Sequence, residues 1–256
     1  MPRNDVNTVM KTYGLIGYPL SHSFSKKYFT EKFQNEGIAD HQYELFPIAD
    51  IKSLPDLLSE NPSLCGLNVT IPHKVNVLCY LNEVDEAAEK IGAVNCISIK
   101  SFEDATYLKG YNTDAYGFEE SLKPLLGPQH TKALVFGDGG AAKAVKYVLE
   151  KLNIQYQVVV RTAVQGAILY SEITPETLAS HQLLINTTPL GMSPNVDSFP
   201  EIDYSLVGPK HLAYDLVYNP LETAFLAKAA ERGAAIKNGL EMLYKQAEKA
   251  WAIWNK

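Results

Sequence analysis

The sequence predicts an α/β protein built as two domains, and three observations predict it. Short apolar runs alternate with stretches of helical periodicity along almost the whole chain, the pattern of strands feeding helices. A glycine cluster, Gly137-Asp138-Gly139-Gly140-Ala141-Ala142, stands directly between an apolar run and a helical stretch. The alternation restarts after Asp114, so one αβ series precedes that residue and another follows it. With 256 residues the chain has room for two domains of modest size or one large unit.

In the first series Tyr13 to Gly17 reads as a strand, and Phe24, Tyr28, Phe29 and Phe33 then recur at helical spacing. Gln42 to Pro47 and Leu64 to Thr70 read as strands, with a helix expected from Ile48 to about Glu60 between them. A short helix over Asp85 to Ile91 and a strand over Ala93 to Lys100 follow. In the second series a helix runs from Ala115 to Leu126 and stops at Gly127-Pro128. Ala133 to Phe136 is a strand and Ala141 to Leu152 a helix; further strands are expected at Tyr156 to Val160, Leu183 to Asn186 and Leu212 to Asp215. The closing helix sets Leu240, Leu243, Ala247, Trp251 and Trp254 on one stripe. The expected division is a first domain of residues 10–114, completed by the closing helix 239–256, and a dinucleotide-binding domain of residues 115–238.

Composition narrows the function. A net charge of −6 without a basic run gives no electrostatic case for nucleic acid or an anionic membrane. No apolar stretch approaches the ~18–20 residues that cross a bilayer. Met1 to Val9 is polar, lacks the apolar run of a secretory signal, and is expected to be a loose tail. Cys65, Cys79 and Cys96 make an odd set without metal spacing, expected to be small buried residues in a reducing compartment, the cytoplasm. The histidines also show no metal spacing, so no metal is expected.

The glycine cluster fits G-x-G-x-x-A between strand and helix. Glycines there permit a tight turn and let backbone N–H groups of Gly137, Gly139, Gly140 and Ala141 approach a pyrophosphate at the positive helix end. Asp138 is awkward, because a carboxylate in a phosphate loop repels its ligand unless it points away. The next strand ends in Arg161-Thr162 where an NAD enzyme usually carries an acid, so a 2′-phosphate and hence NADP is favoured. An ordinary solvated arginine is the plainer alternative.

Upstream, Gly17-Tyr18-Pro19-Leu20-Ser21-His22-Ser23 puts hydroxyls ahead of a helix. Ser21 and Ser23 either cap that helix or hold a small carboxylate near its positive end. Asn68 and Thr70 share a strand face, and Pro72 stops the strand before Lys74. A lone lysine is ordinarily a surface charge, but Asn95 and Asp114 also close apolar or glycine-containing stretches, as expected where strand ends converge on a cleft.

These blocks resemble the shikimate dehydrogenase family from Gly14 to the C-terminus. G-x-N-V-T-x-P-x-K at Gly66 to Lys74 and N-T-D at Asn112 to Asp114 are specific in combination. Asn186 to Met192, Tyr214 to Pro220 and Gly239 to Ala247 match further family segments. The resemblance implies an NADP-dependent oxidoreductase that interconverts 3-dehydroshikimate and shikimate on the route to chorismate and the aromatic amino acids. By similarity Ser21 and Ser23 hold the substrate carboxylate. Asn68, Thr70, Asn95, Asp114 and Gln246 surround the ring hydroxyls, with Tyr218 nearby, and Lys74 and Asp114 form the catalytic pair. Thr188 and Met192 lie in the segment beside the cofactor, and Gly239 and Met242 contact the nicotinamide end. A monomer or homodimer is expected. The adenosine region departs from the family's N-R-T-x-x-R: Val160 and Gln165 replace the asparagine and the second arginine, and the segment from Arg161 to Asn186 is short, as if a helix were missing. NAD use therefore stays open. The rivals are a quinate/shikimate dehydrogenase, a non-catalytic sensor, and a methylenetetrahydrofolate dehydrogenase, which the serine loop and the Gly66 to Lys74 block do not suggest.

Overall fold

The computed structural model describes residues 10–20, 23–102 and 105–256. The expected N-terminal tail and Ser21 lie outside the described residues. The chain divides into two compact units, one of residues up to Thr113 together with Ala250–Lys256, the other Asp114–Lys249.

The first unit runs β1 (Lys11–Gly17), α1 (Phe24–Asn35), β2 (His41–Pro47), α2 (Leu54–Glu60), β3 (Leu64–Val69), β4 (Glu83–Val84), α3 (Glu86–Ile91), β5 (Cys96–Phe102) and β6 (Ala105–Tyr111). Its sheet has the order β2-β1-β3-β5-β6-β4. β1 pairs parallel with β2 and β3, while β3–β5 and β5–β6 are antiparallel. The central strands β1 and β3 are nearly continuous apolar runs because both of their faces are covered. One face packs Ile16, Leu54, Leu67, Val69, Val77 and Ile97. The other is aromatic: Phe29 stacks on Tyr43 at 4.7 Å between ring centroids, and Tyr13 on Trp254 at 4.9 Å. The Trp254 indole N–H donates to the Ile97 carbonyl at 2.9 Å. A Cβ on Gly66 would lie 2.3 Å from that indole, so glycine is what lets the ring lie flat on β3.

Several expected boundaries move for local reasons. The helix expected from Ile48 starts only at Leu54, after a 3-10 turn (Ile51–Ser53) whose Lys52 N–H is capped by Asp50 at 3.0 Å. The short helix holds, with Asp85 as its cap, accepting from the Ala88 N–H at 2.9 Å, and Gly92 ending it at φ +66°. β4 and β6 went unanticipated. β6 is the polar-faced return of the β5 hairpin and has little apolar signal of its own.

The second unit runs α4 (Thr113–Leu122), β7 (Lys132–Phe136), α5 (Gly140–Lys151), β8 (Gln155–Val160), β9 (Ala167–Leu169), α6 (Pro175–Ser180), β10 (Leu183–Asn186), β11 (Leu212–Asp215), α7 (Ala224–Ala230), β12 (Ala235–Lys237) and α8 (Leu240–Trp254); α4 begins and α8 ends with residues that cluster in the first unit. Its pairings are parallel in the order β12-β11-β10-β7-β8-β9, the doubly wound nucleotide-binding arrangement. The shortness of the segment after Arg161 now has a location. β9 returns beside β8 after residues 161–166 alone, with no helix in the crossover, which a three-residue strand permits. α4 stops at Leu122 and hands over to a 3-10 turn, Lys123–Leu125, because Pro124 cannot continue the helix.

Two expectations are corrected. The buried stripe of α8 is Met242, Ala247, Ala250, Ile253 and Trp254, rotated from the expected one; Leu240 and Leu243 are half-buried. Of the cysteines only Cys96 is buried; Cys79 is exposed. The described helices include none long and apolar enough to cross a membrane.

Candidate functional site

In an open parallel sheet the loops at the carboxyl ends of two neighbouring strands part where the chain winds away in opposite directions, and ligands bind there. The first unit has such a point between β1 and β3, since the chain leaves β1 for β2 on one side and returns as β3 on the other. The serine loop follows β1 and Thr70 to Lys74 follows β3. The two loops are tied together: Tyr18 N–H donates to the Ile71 carbonyl at 3.0 Å and Thr70 N–H to the Ile16 carbonyl at 2.9 Å. A Cβ on Gly17 would fall 2.3 Å from Thr70 Cγ2, so glycine is required for this approach.

Ser23 occupies the N-cap position of α1, yet its side chain makes no capping hydrogen bond. Its Oγ is buried without a partner. That argues against a plain cap, since a buried hydroxyl carries a penalty unless something satisfies it, and leaves the group free for a ligand at the positive end of the helix.

Asn68, Asn95 and Thr113 form one buried chain across three strand ends. Asn68 Oδ1 accepts from Tyr43 Oη at 2.8 Å, and its Nδ2 donates to the Asn95 carbonyl at 3.3 Å. Asn95 Oδ1 accepts from the Thr113 N–H at 2.6 Å, and Asn95 Nδ2 donates to Thr113 Oγ1 at 3.0 Å. Lys74 joins through its backbone: its carbonyl accepts from Val94 N–H at 2.8 Å, which places it one residue from Asn95. Asp114 follows Thr113 in the first turn of α4, where the helix dipole favours a carboxylate. Tyr43 and Thr113 were not anticipated. Thr113 stands inside the N-T-D block, whereas Tyr43 carries no signal beyond a strand aromatic.

The second unit has its own such point between β7 and β10, the two strands from which the sheet winds outward. The glycine loop follows β7 and the segment 187–192 follows β10. Gly137 has φ +96°, and a Cβ on it would lie 2.7 Å from Thr188 Cγ2, so the two loops are packed together. Gly139 is the N-cap of α5 without a side-chain cap, and a Cβ on Gly139 or Gly140 would meet nothing within 4 Å. Bare N–H groups at the head of a twelve-residue helix beside open space fit a phosphate. Ala141 lies in the first turn of this helix. Asp138 is accommodated: Lys146 Nζ donates to its Oδ1 at 2.5 Å, so the carboxylate is held by a cation from α5.

Arg161 and Thr162 are exposed at the end of β8. Burial pushes the Tyr170 phenol up to about 12, and the charge of Arg161 opposes the rise. Met192 is exposed, Met242 is buried, and Gly239 lies against β11's exit: a Cβ there would fall 2.1 Å from the Leu216 carbonyl oxygen. Burial also raises the Tyr218 phenol. Tyr218 and Gln246 lie in the second unit, unlike the other described substrate-side candidates Ser23, Asn68, Thr70 and Asn95. A second buried cluster, Asn186, Asp215 and Thr223, was missed as a unit. Its signal was available, since Asn186 and Asp215 each close an apolar strand as Asn95 closes its apolar stretch.

Comparison with known proteins bears on both units. A family model described as the shikimate dehydrogenase substrate binding domain matches residues 15–97. A shikimate dehydrogenase (NADP+) of Carboxydothermus hydrogenoformans is 38% identical over 266 residues, covering 97% of this chain and 93% of the relative. The crystal structure of shikimate 5-dehydrogenase from Thermus thermophilus in complex with NADP(H) and shikimate superposes with a TM-score of 0.82 at 31% identity, over 96% of this chain and 93% of that one. Quinate dehydrogenase from Corynebacterium glutamicum in complex with NAD gives a TM-score of 0.84 at 27% identity, over 95% of this chain and 93% of that one.

Proposed function

The chain belongs to the shikimate dehydrogenase family, and from that membership we propose that it interconverts 3-dehydroshikimate and shikimate with NADP as redox partner. The observation that carries the reading is identity at this level across 97% of the chain with an NADP-dependent enzyme. Residues 10–114, completed by the C-terminal helix 239–256, act as the substrate domain, and residues 115–238 bind the dinucleotide. Gly137, Gly139, Gly140 and Ala141 hold the pyrophosphate, Arg161 and Thr162 the 2′-phosphate, and Thr188, Met192, Gly239 and Met242 the remainder. The nicotinamide, when bound, supplies the hydride in one direction and takes it in the other.

The rest of the chemistry falls to side chains. Reduction of the ketone creates an alkoxide, and Lys74 donates the proton that neutralises it; in the oxidative direction the lysine amine removes that proton. Asp114 accepts a hydrogen bond from the same hydroxyl and keeps the ammonium oriented. Ser21 and Ser23 bind the substrate carboxylate, which the buried, unpartnered Ser23 hydroxyl supports. Asn68, Thr70, Asn95, Tyr218 and Gln246 surround the ring. We take the enzyme to work in the cytoplasm as a monomer or homodimer, on a small-molecule substrate and without nucleic acid or membrane.

A second reading, a quinate/shikimate dehydrogenase using NAD, is favoured by the likeness to the NAD-bound quinate enzyme and by Val160 and Gln165 in the adenosine region. Initial rates for shikimate and quinate, each with NADP and with NAD, separate the two. The proposal expects shikimate with NADP to give the highest kcat/KM. Quinate with NAD exceeding it supports the second reading, and no turnover with any pair overturns both.

A further inference from the structure

Asp215 closes β11 completely buried, and the acid–base scheme above does not use it. Its Oδ1 accepts from Asn186 Nδ2 and from the Val217 N–H, each at 3.0 Å, and its Oδ2 accepts from Thr223 Oγ1 at 2.6 Å. Asn186, equally buried at the end of β10, passes the constraint on. Its Nδ2 also reaches the Leu190 carbonyl at 3.2 Å, while its Oδ1 accepts from the Thr188 N–H at 3.0 Å and from the Thr188 hydroxyl at 2.6 Å. Thr188 is the side chain that a Cβ on Gly137 would strike, and a Cβ on Gly191, across the same turn, would sit 3.0 Å from Thr223. A negative acceptor at 215 leaves the Asn186 amide one satisfied orientation. Flipping it would aim Oδ1 at the carboxylate and the NH₂ at the Thr188 N–H.

We propose that Asp215 is a positioning residue for the pyridine nucleotide: acting through Asn186, it fixes the turn 187–191 against the glycine loop 137–140. The inference rests on the reading that the second unit binds NADP. Burial pushes the Asp215 carboxyl up to about 6, so at neutral pH the fold carries an ionised group that it would hold more easily neutral. The titratable neighbour that senses it is Tyr204, from the 3-10 turn Tyr204–Leu206, whose phenol burial raises further and which therefore stays neutral; the other groups facing the carboxylate, Asn186, Thr223 and the Val217 N–H, do not titrate. What the carboxylate orients explains its presence better than what it adds to stability.

Steady-state kinetics on Asp215→Ala, Asp215→Asn and Asn186→Ala test this. Losing a charge-assisted hydrogen bond is expected to raise the KM for NADP about ten-fold or more in Asp215→Ala and Asn186→Ala, with kcat at saturating NADP within about three-fold of wild type. Asp215→Asn keeps Oδ1 as an acceptor and is expected to restore KM to within about three-fold of wild type. A purely structural role would lower kcat through lost active protein and leave the NADP KM where it was; that result overturns the proposal. Should Asp215→Ala fail to fold, an unmoved NADP KM in Asn186→Ala overturns it alone. A wild-type chain that does not reduce NADP with shikimate refutes the functional reading instead. The positioning role is then judged by NADPH fluorescence titration of the same variants, with the same expected ratios.

Discussion

Asn95 engages the ends of β3 and β6 and the head of α4 at once. Its N–H donates to the Tyr111 carbonyl at 3.0 Å, its carbonyl accepts from Val69 N–H at 2.8 Å, and its side chain holds Thr113. That is why one polar residue closing an apolar stretch was informative in the sequence: a buried amide is tolerated only where every hydrogen-bonding group is matched, and such matching occurs where strand ends meet. The same logic singles out Lys74, whose backbone is pinned beside Asn95. Lys74→Ala is expected to lower kcat by about 10²–10⁴-fold, the usual worth of general acid–base help, while NADPH titration stays within error of wild type. Turnover close to wild type in that variant would remove Lys74 from the mechanism.

At the scale of elements, α5 carries the clearest division of labour. Its body is anchored by buried Ala142, Val145, Val148 and Leu149, whereas its head is two glycines facing open space. Packing and ligand binding are therefore separable along one helix. Gly139 has φ −84°, which alanine adopts without strain, and its Cβ would meet no protein atom. Gly139→Ala is expected to leave Tm within a few degrees of wild type, since exchanging the N-cap residue is worth ~1 kcal/mol or less, yet to raise the NADP KM several-fold because the methyl group enters the space a phosphate would take. An unchanged KM would show that the cofactor approaches from elsewhere. Gly137 is the contrast: φ +96° and the 2.7 Å approach of Thr188 make its glycine a requirement of the fold itself.

For the molecule as a whole, Asp215 couples stability to pH. Its carboxyl is raised from the ordinary 3.8 to about 6, so the folded chain holds this proton more tightly than the unfolded one. The associated stability is fully present below the unfolded value, near 4, and is lost as pH rises through about 6, a difference of about 3 kcal/mol. Asp215→Asn is accordingly expected to melt higher than wild type at pH 7.5 and to converge with it near pH 4, followed by circular dichroism; a constant difference in Tm would contradict the linkage. The sequence by itself determined the α/β class, the central strands, the glycine turn and the polar residues that end strands, because period, turn chemistry and strand termination are written in neighbouring residues. It missed β4, β6, β9 and β12, whose short or polar runs become strands only once a neighbour offers them a ladder. The face of α8 that is buried, the Lys146 partner of Asp138 and the Asn186–Asp215–Thr223 cluster were likewise decided by tertiary structure alone. The physical reason is distance along the chain: Asn186 and Asp215 are 29 residues apart, and their hydrogen bond exists only because two parallel strands place both ends side by side.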